Sequence, residues 1–233
     1  VKAIGASCDV YFYQVGLRTG IHNLAQMAHA FGLGEVTGID LVGESRGNIP
    51  TPEWKKKRYK EGWYDGDTVN ASIGQGFVQT TPLQMALVAA AVANRGRVMK
   101  PFVVKRVVRP DGTGIDTTPT VLKQIPLTPE QWRWIEQGMR AAVAGPGGTA
   151  HAANIPGIPV AGKTGTAEDP PRRRPHAWFI CYAPMDNPRI ALAVVVEQGG
   201  HGGAVAAPIA RHILETFFGI THARARGDAS ATD

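Results

Sequence analysis

Cysteine is nearly absent: Cys8 and Cys181 are the two in 233 residues, and they lie far apart without the spacing of metal ligands. A disulfide scaffold and a Cys-based zinc site are therefore excluded as sources of stability, and both residues are read as free thiols. Long apolar runs are also missing. No stretch of eighteen apolar residues occurs, so nothing in the sequence reads as a bilayer span. The chain opens on Val1 rather than on a charged, then apolar, export signal, so any anchor or targeting segment is expected to lie outside it. Acidic residues are the scarcer sign, 19 against 25 basic, which leaves a net charge of +6. The basic residues are scattered except at Lys55-Lys56-Lys57-Arg58-Tyr59-Lys60 and Arg172-Arg173-Arg174. Neither cluster is interleaved with an aromatic stacking platform, so no nucleic-acid partner is expected. Both read as solvated loop surface, with diffuse attraction to an anionic polymer or membrane as the alternative.

What the sequence has in quantity is apolar content, glycine and proline. At 43% hydrophobic residues the chain can bury the core of one domain. Twenty-eight glycines and seventeen prolines imply many loops between regular elements. Helical spacing is found over 21–31, where Ile21, Leu24, Ala25, Ala28 and Phe31 share one face ahead of Gly32 and Gly34. From 34 to 76 the text is rich in Gly, Pro, Asn and Asp and is read as a long irregular stretch lining a site. Thr81-Pro82 opens a second helix that stops at Gly96, and Thr128-Pro129 opens a third that runs to about Ala144. Residues 103–109 form a β-branched run ended by Pro110-Asp111-Gly112, which predicts a hairpin. Three strands are expected at 159–166, 177–183 and 190–197, followed by a helix over 204–218. The short link 184–188 allows only an antiparallel pairing of the last two strands. The expected class is α+β, with an antiparallel sheet flanked by helices over 1–220. A polar tail is expected to be disordered over 221–233.

Two short strings carry chemistry. Lys163-Thr164-Gly165-Thr166 falls on a predicted strand, where alternation puts Lys163 and Gly165 on one face and Thr164 and Thr166 on the other. Gly165 leaves room for a substrate backbone alongside the strand. Alone, such a string is more often an edge strand that happens to carry a lysine. Ser7-Cys8-Asp9 lies 156 residues upstream, before Val10-Tyr11-Phe12-Tyr13-Gln14. Alone, it is more often a Ser or Asx turn leading into a buried segment.

Together, in this order, the two strings resemble the second and third motifs of the serine acyl-transferases that bind penicillin. Asn70-Ala71-Ser72-Ile73-Gly74-Gln75-Gly76, Thr81-Pro82-Leu83-Gln84-Met85-Ala86 and Ala161-Gly162-Lys163-Thr164-Gly165-Thr166-Ala167-Glu168 are similar to the class B penicillin-binding proteins. Pro52-Glu53-Trp54-Lys55-Lys56-Lys57 and Gly62-Trp63-Tyr64-Asp65-Gly66-Asp67-Thr68-Val69-Asn70 resemble the cell-elongation members of that class. The resemblance runs from Val1 to about Phe218. It implies a transpeptidase fold of the serine β-lactamase type, incomplete at the N-terminus. The implied activity is a D,D-transpeptidase that crosslinks peptidoglycan stem peptides ending in D-Ala-D-Ala through a serine acyl-enzyme and binds β-lactam antibiotics.

The family's nucleophile motif, Ser-x-x-Lys, is missing. None of Ser7, Ser45, Ser72 and Ser230 has a lysine three residues on, and Thr120-Val121-Leu122-Lys123 is an imitation at the wrong place in the order. The sequence is accordingly expected to be a fragment, a cleavage product or the ordered remainder of a longer chain, inactive alone. By the resemblance, Ser7 relays a proton, Lys163 supplies charge, Asp9 orients the donor amide, and Thr164 and Thr166 hold the terminal carboxylate. Thr166 also offers its backbone amide to the oxyanion, and Gly165 gives the substrate room. No cofactor or metal is implied. A membrane anchor, a location on the extracytoplasmic face of the cytoplasmic membrane and a SEDS-type glycosyltransferase partner are implied by the family alone. The alternatives are a β-lactamase or β-lactam sensor on the same fold, which would lack the 74–86 text and the 34–76 stretch, and a non-catalytic interaction module.

Overall fold

Helix caps and tight glycine contacts account for much of the architecture. The structure is a computed structural model that describes residues 1–169, 171 and 174–220. The tail 221–233, together with Arg172 and Arg173 of the second basic cluster, lies outside the described residues. The chain begins with α1 (Lys2–Gly5), α2 (Asp9–Thr19) and α3 (Ile21–Ala30). The string after Asp9, expected at its simplest to lead into a buried segment, is helical, with Val10 and Tyr11 exposed. Gly32, at φ 85°, ends the third helix in the left-handed region that glycine enters without penalty.

The stretch 34–76 is less irregular than its composition suggests. It holds α4 (Pro52–Tyr59) and α5 (Asp65–Ser72). Thr51 accepts from the Trp54 amide ahead of Pro52, a sequence-readable start. At α5 the carboxylate of Asp67 accepts from the Tyr64 amide at 2.8 Å and from Lys55 Nζ at 2.7 Å. This corrects the reading of the first basic cluster as solvated loop: it is helical, and Lys55 is only 4% exposed. A buried lysine is tolerated because its charge is matched by Asp67 and lies 4.8 Å from the Tyr64 ring centroid.

Next come α6 (Pro82–Ala93), β1 (Arg97–Met99), β2 (Arg106–Val108), β3 (Gly114–Asp116), β4 (Val121–Gln124) and α7 (Pro129–Ala144). Reciprocal capping boxes, Thr81 with Gln84 and Thr128 with Gln131, start α6 and α7. The expected hairpin is β2 paired with β3, shorter than the 103–109 run because Val103 and Val104 instead donate their amides to Asp40. The imitation motif ends on β4, paired with β1, where Lys123 is tied to Glu35 at 2.7 Å.

The principal sheet has the order β5 (Ala161–Ala167), β6 (His176–Ala183), β7 (Ile190–Val196), antiparallel throughout. It is followed by α8 (Ala206–Phe217). Alternation along β6 sends Phe179 and Cys181 into a core with Val143, Val194 and Leu214 under α8. Tyr182 points the other way, into a core with Val92, Trp132 and Met139 under α6 and α7. Burial pushes the Cys181 thiol up to about 12, which makes it a packing residue rather than a nucleophile. Cys8 is also free. The resulting sheet with helices on both faces matches the α+β expectation.

Candidate active site

Two glycines place the first catalytic candidate. A Cβ at Gly138 would stand 2.8 Å from Ile4, and one at Gly5 would stand 3.0 Å from the Ala141 Cβ. The bare backbones let α1 lie directly on α7, which in turn packs on β5. Ser7 follows α1 in a left-handed conformation at φ 53°, with its amide donating to Ile4 O at 3.2 Å. Such a backbone costs about 1–3 kcal/mol for a residue other than glycine, so the surrounding packing must hold it. The next residues start α2, with Asp9 in its first turn, and Ser7 and Asp9 both line one cavity.

Opposite stands β5. Lys163 Nζ donates to Ser7 Oγ and, at 2.9 Å, to Thr164 O. The two strings 156 residues apart in sequence therefore meet in space. Burial holds the Lys163 ammonium below the ordinary lysine range, opposed by the Asp9 carboxylate, so the lysine is more readily neutral than a surface one. Thr164 and Thr166 also line the cavity, which has a volume of about 710 Å³. Thr164 Oγ1 shares a hydrogen bond with Thr149 Oγ1 at 2.7 Å. Gly165 lies against its neighbour strand: a Cβ there would stand 3.0 Å from the Trp178 Cβ. The glycine is therefore constrained by β6 as well as by any ligand.

The structure adds residues that the motifs did not name. Gly202 leaves its backbone so close to the sheet that a Cβ would fall 2.1 Å from Trp178 O and 2.4 Å from Gly165 O. Gly203 makes a similar approach to Thr149 O, at 2.2 Å. The loop carrying them lines the cavity. Its signal was present as Gly199-Gly200-His201-Gly202-Gly203, a glycine density that a plain strand-to-helix connection does not need. Gln75 reaches from the end of α5 to β5, donating to Thr166 O at 2.9 Å and accepting from the Glu168 amide at 3.2 Å.

A buried lysine hydrogen-bonded to a serine, beside a carboxylate and an open strand edge, can move a proton and seat an anionic or peptide-like ligand. No group of three or more His, Cys, Asp or Glu among the described residues could hold a metal ion.

Residues 1–215 match the family model described as the penicillin binding protein transpeptidase domain. The peptidoglycan D,D-transpeptidase MrdA of Haemophilus influenzae is 37% identical over 234 residues, covering 93% of this chain and 36% of that protein. The crystal structure of Pseudomonas aeruginosa PBP2 in complex with WCK 5153 superposes with a TM-score of 0.82 at 35% identity, covering 99% of this chain and 50% of that one. Penicillin-binding protein A of M. tuberculosis, as its imipenem acyl-enzyme complex, gives a TM-score of 0.77 at 32% identity, covering 91% and 45%. The chain thus spans about a third of its curated relative and half or less of the solved chains.

Proposed function

The chain belongs to the penicillin-binding protein transpeptidase family, and from that premise we propose that it supplies one wall of the active site of a peptidoglycan D,D-transpeptidase of the elongation type. The observation that carries the reading is the hydrogen bond from Lys163 to Ser7, which joins the two retained motifs inside one cavity. The reaction is a two-step acyl transfer. A serine attacks the D-Ala-D-Ala bond of one stem peptide, and an amine of a neighbouring stem resolves the acyl-enzyme. That serine belongs to a Ser-x-x-Lys motif, which none of the 233 residues provides.

The roles are those that the two motif positions imply. Ser7, held by Lys163, relays a proton to the leaving amine and takes one from the attacking amine. Lys163 supplies positive charge to the base of the missing motif and to the substrate carboxylate, which Thr164 and Thr166 also bind. Asp9, on the opposite wall, orients the donor amide. The Thr166 N–H faces the open side of β5 and donates to the oxyanion, a contribution of about 3 kcal/mol. β-Lactams enter as acylating mimics of the D-Ala-D-Ala terminus. The partners are stem peptides and, through parts of the parent protein beyond this chain, a SEDS-type glycosyltransferase. The site of action is the extracytoplasmic face of the cytoplasmic membrane.

Labelling by a fluorescent penicillin tests the reading. The parent protein carrying an upstream Ser-x-x-Lys is expected to give a covalent band on a denaturing gel, and residues 1–233 alone are expected to give none. An unlabelled parent protein in folded form, or a labelled band at the fragment's mass, would overturn it.

A further inference from the structure

We propose that Gln75 is a positioning residue of the acyl-transfer site: its side-chain amide closes the open edge of β5 just past Thr166 and thereby fixes the aim of the Thr166 backbone N–H. The proposal rests on the transpeptidase reading above, and it assigns a task to the Gly74-Gln75-Gly76 string, which the two motifs leave unused.

β5 has one strand neighbour among the described residues, β6. In an extended strand the N–H and C=O of one residue point to the same side, and consecutive residues alternate. Lys163 Nζ reaches Thr164 O and Gln75 Nε2 reaches Thr166 O, so Thr164, Thr166 and Glu168 are the residues whose backbone groups turn away from β6. Lys163 occupies one of these groups and Gln75 two, since Gln75 Oε1 also accepts from the Glu168 N–H. A carbonyl at one residue and an N–H two residues later, both met by one amide, is the pairing that a residue of a parallel neighbour strand makes. Gln75 is thus a one-residue strand. It stands opposite Ala167 and ends the edge there, leaving the Thr166 N–H as a donor turned to the cavity.

The placement of Gln75 is built from the backbone upward. Gly74 and Gly76 adopt left-handed φ values of 76° and 68°, and the Gln75 amide donates back to Asn70 O at 2.9 Å. The loop therefore turns sharply off the end of α5 and offers its middle residue across the cleft. Helix α5 is itself fixed against α2, because Gly16 lets Ser72 approach to where a Cβ would be 2.4 Å away. Helix α2 begins at Asp9, two residues after Ser7. The two walls are consequently bridged twice, by Lys163 to Ser7 and by Gln75 to Thr166 and Glu168. With the second bridge removed, the end of β5 is held from one side only, and an oxyanion donor must be placed to within a few tenths of an ångström to act.

The test uses the full-length parent protein with benzylpenicillin, resolving the saturating acylation rate from the half-saturating concentration, and follows amide hydrogen exchange over 164–169. In Gln75→Ala the saturating rate is expected to fall at least about fivefold with the half-saturating concentration within about twofold, because orientation and not binding is lost. The Glu168 amide, without its acceptor, should exchange about tenfold faster. Gln75→Glu keeps the size and the acceptor but not the donor, so it should preserve Glu168 protection and still lose acylation rate. It also decides the matter if the alanine variant fails to fold. An unchanged acylation rate in either folded variant, or a loss confined to the half-saturating concentration, would overturn the proposal. If the unsubstituted parent is not acylated at all, the transpeptidase reading fails by itself. Exchange then judges the bridge separately, and unchanged Glu168 protection in Gln75→Ala removes it.

Discussion

The two outer strands of the principal sheet present opposite kinds of edge. On β5 the text Ala-Gly-Lys-Thr-Gly-Thr-Ala carries the polar residues Lys163, Thr164 and Thr166, and two side chains, Lys163 from the strand itself and Gln75 from the loop after α5, meet its outward carbonyls. On β7 the text Ile-Ala-Leu-Ala-Val-Val-Val has no polar side chain, and no strand pairs with its outer side among the described residues. Edge strands normally carry a charge, a proline or a bulge that discourages further pairing. β7 has none of these before Glu197, and the neighbouring helix α8 exposes Ile209, Ile213 and Phe217. The two edges thus differ in kind: β5 offers outward backbone groups that polar side chains meet, and β7 offers an apolar row with no strand beside it among the described residues. The comparison separates chemistry from stability along 7 residues of β5 and 7 of β7.

The largest expected effect breaks the β7 side of the comparison. Residues 1–233 expressed alone should aggregate or lack a sharp thermal transition, and co-expression with the preceding part of the parent chain should rescue them. A few uncovered large side chains at about 2 kcal/mol each consume much of a stability of about 5–15 kcal/mol. Sedimentation and calorimetry check this. A monodisperse monomer melting cooperatively would mean that the bare β7 edge is tolerated.

On the β5 side, Lys163→Ala in the parent protein should slow penicillin acylation tenfold or more. A charge-assisted hydrogen bond contributes about 1.5–3 kcal/mol, and Lys163 makes one to Ser7 and one to Thr164 O. An unchanged rate in a folded variant would take the lysine out of the site.

These two edges also mark what the sequence could disclose. The helices opened by Thr81-Pro82 and Thr128-Pro129 were legible because the cap and its reciprocal glutamine are local. The strands were legible from β-branched runs with turn residues between them. Helices α4 and α5 were missed for different reasons: α4 opens on the local cap Thr51-Pro52, overlooked inside a Gly- and Pro-rich text, whereas α5 starts where the Asp67 carboxylate meets the Tyr64 amide and the buried Lys55, a contact that spacing alone does not disclose. The Ser7 and Lys163 positions came from motif resemblance, and their contact is a product of tertiary packing through Gly5 and Gly138. Gln75 was missed as a site residue because it acts on backbone atoms 91 residues away, a relation that no local spacing encodes, whereas the glycine density around Gly202 was visible but its approach to β5 and β6 was not.

A smaller effect sharpens the comparison at the loop that lines the cavity. Gly202→Ala forces a methyl group against Trp178 O and Gly165 O, so the loop must withdraw from β5. Overpacking of this kind costs about 1–3 kcal/mol. The expected outcome is a lower melting temperature of the parent protein together with slower acylation. The same substitution at Gly219, which meets nothing within 4 Å but has φ 72°, should strain only the exit of α8 and spare acylation. Equal effects on acylation at both positions would show that the loop does not support the β5 edge.

The smallest expected effect concerns pH and follows from the burial of Lys163. Its ammonium is held below the ordinary lysine value of 10.5, so in the unfolded chain the group keeps its proton to higher pH than in the folded one. Below the lowered value both states are protonated, and the cost of burying the charge is present in full. Between the lowered and the ordinary value the unfolded state binds more protons, and stability therefore rises with pH. A Lys163→Met variant lacks this group and should not show the rise. Urea midpoints of the parent protein and the variant, compared from neutral pH toward 10.5, should diverge in favour of the unsubstituted protein. The gain is at most about 1.4 kcal/mol for each unit by which the lysine is lowered. The Asp9 carboxylate opposes the shift, so Asp9→Asn should enlarge the rise. Parallel curves for the parent and Lys163→Met would mean that the lysine titrates as it does in water, and the β5 edge would then lose the electrostatic character that sets it apart from β7.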